Sequence, residues 1–161
     1  MKTDSTIAKD KAKQAIKELI EQFKNNYNQF HDIAYNESRI REDFINPFFE
    51  RLGWDIANKQ GLSQTYREVI VEDKVKVGKE TKAPDYAFRF GGTRLFFVEA
   101  KKPSVKLKDN ANAAYQIRRY SWSGKLGISI LTNFEEFAIY DCSKKPSSND
   151  KASTARVEYI S

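Results

Sequence analysis

The chain has 161 residues, 40% of them apolar, and a formal net charge of +6, which makes it one domain large enough for its own core. A single cysteine, Cys142, excludes an internal disulfide and any cysteine-based zinc site, and a single histidine, His31, excludes Ser-His-Asp triads and multi-histidine metal centres. No Walker loop, G-x-G-x-x-G, signal peptide or membrane-length apolar run occurs, so no nucleotide or membrane partner is expected and the expected compartment is a reducing cytoplasm.

Residues 6–30 place Ile16, Leu19, Ile20, Phe23, Tyr27 and Phe30 at helical spacing, which predicts an amphipathic helix packed on the core. His31, at its end, reads as structural or solvent-facing. Asn36 then offers a cap for a second helix from about Glu37 to Leu52, burying Ile40, Phe44, Ile45, Phe48 and Leu52. Pro47 inside it predicts a kink or a short break, and Gly53 ends it. Glu37 shares a side with Arg41 and Phe44, so a carboxylate stands at the edge of an apolar stripe. Favourable charge at a helix N-terminus is the other reading of that residue. Residues 54–65 read as a loop, and Tyr66–Val77 as one strand or two.

Pro84–Lys102 is the most informative stretch. Two β-favouring runs, Tyr86–Phe90 and Leu95–Val98, flank Gly91-Gly92, a hairpin signal. The hairpin opens with Asp85 and closes with Glu99 and Lys101, and alternation puts the last two on one face. A plain two-residue turn would set Asp85 on the opposite face. A three-residue loop, Gly91 to Thr93, or a bulge in the hairpin would set it across from Glu99 and gather Tyr86, Phe88, Phe96 and Val98 on the other side. Two carboxylates and an ammonium would then converge. Carboxylates so close repel unless a proton or cation lies between them, and Mg²⁺ suits such a pair. The adjacent lysine would orient or deprotonate a water and neutralise charge on a phosphate. A surface salt bridge is the plainer alternative, because E-x-K recurs at Glu72–Lys74 and Glu80–Lys82. Only the Glu99 copy follows a strongly apolar strand and a Pro-Asp across a tight turn.

The charge is localised there too. Glu80–Lys125 holds ten Lys and Arg against four Asp and Glu, while the remainder holds eighteen of each. A polyanion-binding face requires such an excess.

Further on, Asn110–Tyr120 reads as a helix with Gln116 and Tyr120 on one face, Gly127–Leu131 as a buried strand, and Phe137–Tyr140 as a returning strand. Lys144–Ser153 is linker-like, and Arg156–Ile160 begins a new apolar alternation, as though a longer protein continued. The order predicts an α/β layered domain with a mixed sheet.

The αβββαβ order, with Pro84-Asp85 and the E-x-K of Glu99–Lys101 across a hairpin, resembles the PD-(D/E)XK nuclease superfamily. A closer resemblance is to the N-terminal nuclease domains of type I restriction R subunits and type IIG restriction–modification enzymes. It is carried by Asn36–Asp55, by Q-x-x-x-Y at Gln116–Tyr120 and by the segment SILTNFEEFAIYD ending at Asp141. The likeness covers roughly residues 36 to 142. It implies a restriction-endonuclease-like central sheet flanked by helices, with an extra N-terminal helix over 1–34, a nuclease core over 35–142, and a linker and truncated following region over 143–161. The tail resembles the junction before the helical linker and methyltransferase of type IIG enzymes. A methyltransferase with target-recognition regions is thus the expected continuation, and a type I translocase the second.

The same resemblance assigns roles. Asp85, Glu99 and the carbonyl of Ala100 correspond to ligands of Mg²⁺, with Mn²⁺ as a substitute, and Lys101 to the catalytic lysine. Glu37 corresponds to a supporting acid, and Gln116 and Tyr120 to a pair that contacts DNA or braces the site. Lys102, Lys106, Arg118 and Arg119 would hold phosphates of double-stranded DNA. The expected function is Mg²⁺-dependent endonucleolytic cleavage within a bacterial restriction enzyme. A repair or junction-resolving nuclease of the same fold, and an inactive DNA-binding module, are the alternatives.

Overall fold

The computed structural model describes Met1 and residues 3–161. Thr3 caps helix α1 (Asp4–Asn25) by accepting from the Thr6 N–H, and the helix packs on the core through Leu19 and Phe23 alone. Its earlier turns carry charge and are mostly exposed, with Ala12, Ala15 and Ile16 partly buried. A short helix α2 (Tyr27–Phe30) follows, where the periodicity predicted one continuous helix. Asn36 caps α3 (Glu37–Ile40) by accepting from the Arg39 N–H at 3.0 Å. The chain then widens into a π turn over Arg41–Ile45 and returns to helix in α4 (Asn46–Arg51). The break expected at Pro47 is therefore a widened turn just before it. A ring at 47 would strike the carbonyl four residues back, and bonding to the fifth residue back, as in Asn46 N–H to the Arg41 carbonyl, relieves that crowding.

Six strands form the central sheet in the order β1 (Val69–Val71), β4 (Tyr86–Phe90), β5 (Thr93–Ala100), β6 (Ile128–Thr132), β7 (Phe137–Asp141), β8 (Arg156–Ile160). All neighbours are antiparallel except β5 and β6, which the helix α5 (Ala111–Ser123) joins as a crossover. β2 (Val75–Val77) pairs with β3 (Glu80–Lys82) as a separate ribbon. β3 was not expected, because Glu-Thr-Lys carries no apolar alternation.

The sheet is covered on both faces. Tyr86, Phe88 and Val98 join Phe23, Phe44 and Phe49 in one core under α1 and α3–α4. Ala87, Phe97 and Leu131 join Val77, Ile117 and Tyr140 in a second core under α5 and the ribbon. Phe88 and Phe96 stack at 4.8 Å, which is the grouping the hairpin pattern predicts. The mixed α/β fold is restriction-endonuclease-like, with an added N-terminal helix. Among the described residues no helix is long and apolar enough to cross a membrane.

The C-terminal stretch departs from its reading as a linker and the start of a following region. Asp150 accepts from the buried Arg118 at 2.7 Å, and the Tyr140 hydroxyl donates to the Ala152 carbonyl at 3.1 Å. Arg156–Ile160 then pairs with β7 as the edge of the sheet. Tyr159 packs partly buried against the second core, while Val157 and Ile160 stay exposed.

Candidate active site

The register of β4 and β5 decides which side chains meet. Gly91 and Gly92 both have positive φ, at 57° and 83°, as the two central residues of a type I′ turn require. A side chain at Gly92 would in addition meet the Thr65 carbonyl oxygen at 2.8 Å. The turn is therefore two residues long, with Phe90 opposite Thr93, and the three-residue loop does not form. A bulge supplies the odd residue instead. Phe88 faces Phe96 and Arg89 faces Arg94, leaving Leu95 unpaired and exposed. Beyond it Tyr86 faces Val98, so Asp85 arrives beside Glu99.

Each oxygen of Asp85 is held. Oδ2 accepts the Ala100 N–H at 2.8 Å, and Oδ1 accepts from Arg41 Nη1 at 3.1 Å. Glu99 is placed very differently. Its Oε2 is buried without a hydrogen-bond partner. Burial, and next the negative charge of Asp85, push its carboxyl up to about 9, against the opposing charge of Lys101. Lys101 donates its backbone N–H to the Thr132 carbonyl at 2.9 Å, and its ammonium reaches Glu99 through space.

The α5 side closes the site. Tyr120 is partly buried, and its hydroxyl is held above the usual tyrosine range by burial and then by the charge of Glu99, while Lys82 and Arg119 oppose. Gln116 lies one turn earlier on that face, also partly buried. Glu37 is partly buried at the first turn of α3, one turn before Arg41. Among the described residues it makes no ion pair or hydrogen bond with Asp85, Glu99 or Lys101.

The basic residues separate into two groups. Lys106 is exposed, 4.0 Å from Glu135, and the guanidinium of Arg119 lies over the Tyr115 ring at 5.7 Å. Lys102 donates from its ammonium to the Ile33 carbonyl at 3.3 Å. Arg118 is corrected from a phosphate contact to an internal brace. It is 3% exposed and spent on Asp150. Arg41 was missed as a site residue, although its one-turn spacing from Glu37 was legible. What no local pattern could supply was its contact with Asp85, forty-four positions away.

The set can hold a cation through two carboxylates. Among the described residues no three His, Cys, Asp or Glu side chains gather into a ligand group, so solvent and substrate would have to complete the shell. The buried, unpartnered Oε2 of Glu99 beside a second carboxylate fits a small hard cation of that kind.

Comparison with known proteins places the chain in a family. No solved structure matches the chain. It is 43% identical over 148 residues to an Escherichia coli protein described as type II restriction enzyme and methyltransferase RM.Eco57I, across 91% of this chain. The chain spans about 15% of that relative's length. Residues 64–148, which carry the hairpin, α5, β6 and β7, match the family described as type I restriction enzyme R protein N terminus, and the chain belongs to that family.

Proposed function

We propose that the chain is the DNA-cleaving module of a restriction or restriction–modification enzyme, a Mg²⁺-dependent endonuclease acting on phosphodiesters of double-stranded DNA. The observation that carries this reading is the Glu99 carboxylate, with a buried, unpartnered oxygen beside Asp85 and within reach of the Lys101 charge. A module that only bound DNA would have no use for buried carboxylates facing a polyanion. The relative's printed description, restriction enzyme and methyltransferase, supports a chain that continues into a methylating region, and target-recognising regions belong to the same proposal.

Asp85 and Glu99 would hold the cation, with the Ala100 carbonyl as a further ligand and Glu37 supporting from α3. When bound, Mg²⁺ supplies polarisation of the phosphate and a hydroxide-like nucleophile at neutral pH. Burial and the Asp85 charge favour the protonated Glu99 carboxyl, so Glu99 would have to give up a proton to hold a cation. Lys101 neutralises charge growing on the phosphate oxygens and orients the attacking water. Tyr120 and Gln116 brace the same face from α5. Lys106, Arg119 and Lys102 hold backbone phosphates, which positions a duplex without reading its sequence.

Supercoiled plasmid incubated with Mg²⁺ should be nicked and linearised, and EDTA should abolish this. Lys101→Ala should lower cleavage on the order of a hundredfold or more while Mn²⁺ affinity, measured by calorimetry, stays near wild type. Identical Mn²⁺ binding by wild type and Asp85→Ala would remove the chemical basis of the assignment.

A further inference from the structure

Arg41 is the cation that the carboxylate pair already has. Its guanidinium lies 3.1 Å from Asp85 Oδ1, and the two side chains are only 20% and 18% exposed. The other Asp85 oxygen is committed to the Ala100 N–H. The partner of Oδ2 is fixed backbone while the partner of Oδ1 is a mobile side chain, so Oδ1 is the Asp85 atom freer to turn to a metal, and it is the atom that Arg41 holds. A guanidinium cannot lose its proton to make room. A divalent cation joining Asp85 to Glu99 would lie beside a fixed positive charge, and the two repel. That repulsion favours release of Arg41 from Oδ1 when the site loads.

Where it would go follows from its chemistry and its backbone. Arg41 opens the π turn, so it sits on a local irregularity of the helix rather than inside a regular ladder. A planar guanidinium released at the rim of a phosphate site is matched to a phosphodiester oxygen pair. We propose that Arg41 is a placeholder for the metal, orienting Asp85 through Oδ1 in the unloaded protein and passing to a DNA backbone phosphate when cation and duplex enter. This rests on the metal-dependent nuclease reading and adds to it a positioning and DNA-contacting residue.

The test uses Mn²⁺ calorimetry on DNA-free wild type, Arg41→Gln and Arg41→Lys, with a melting curve for each. Removing the competing charge should tighten Mn²⁺ binding by Arg41→Gln roughly three- to tenfold, while Arg41→Lys stays close to wild type. With a short duplex and Ca²⁺, Arg41→Gln should bind DNA more weakly and lose about one unit of log–log salt slope. In the wild type itself, the Arg41 Nε–Hε resonance should shift as Mg²⁺ is added, a readout that needs no variant to fold. Unchanged or weaker Mn²⁺ affinity in a folded Arg41→Gln, or a resonance indifferent to saturating Mg²⁺, overturns the exchange. Absence of Mn²⁺ binding by wild type overturns the metal-site reading beneath it.

Discussion

Two glutamates sit on neighbouring parts of one sheet, Glu99 partly buried and Glu136 buried, and their surroundings are opposite. Glu136, in the turn between β6 and β7, is 6% exposed yet fully served. It accepts from the Leu107 N–H at 2.9 Å, the Lys108 N–H at 3.2 Å, Asn133 Nδ2 at 2.8 Å and the Tyr159 hydroxyl at 2.6 Å. Burial alone would raise its carboxyl, but these donors outweigh it and hold Glu136 below the usual glutamate range. Glu99 has a second carboxylate for a neighbour and an oxygen with no donor, and it is pushed the other way. The difference separates structure from chemistry. Glu136 ties β8 and the loop after Lys101 to the sheet, whereas Glu99 is stable only with a proton or a cation.

The largest effect that would break this contrast is at Glu136. Glu136→Ala strands four donors in the interior and should lower unfolding free energy by about 3 kcal/mol, read by urea denaturation. Its contribution to stability is present above the ordinary glutamate range and is lost as pH falls through the lowered value. A loss no larger than that of an ordinary surface substitution would show that the donors find water instead.

Glu99 should behave in reverse. Its folded form binds a proton that the unfolded chain has already released, so its contribution falls as pH rises from the ordinary glutamate range through about 9. Glu99→Gln should accordingly stabilise the metal-free protein by on the order of a few kcal/mol near pH 8 and by almost nothing under acid conditions. It should also abolish Mn²⁺ binding. A destabilised Glu99→Gln would place the residue with Glu136, as a structural carboxylate.

The smallest effect sharpens the same division among the arginines. Replacing Lys106 and Arg119 with Ala should reduce the log–log salt slope of DNA binding by about two. Arg118→Ala should leave that slope alone and lower the melting temperature, because Arg118 is buried against Asp150. A slope that responds to Arg118 would return it to the DNA face.

Much of this was legible locally. Strand alternation put Glu99 and Lys101 together, and it demanded an odd residue in the hairpin before Asp85 could join them. Such patterns are periodic along the chain, so the sequence by itself determined the hairpin, the aromatic core beneath it, the helix bearing Gln116 and Tyr120, and the family. Which device supplied the odd residue was decided in three dimensions, where the Thr65 carbonyl leaves room only for glycine at 92 and the register shifts at Leu95. Tertiary structure also decided the contacts that join distant segments. Arg41 reaches Asp85, Tyr159 reaches Glu136, and Asp150 removes Arg118 from solvent. Each of these is a charge or a donor whose partner lies twenty-three or more positions away. No helix or strand period carries information over that distance, and only packing selects among the many partners of suitable charge.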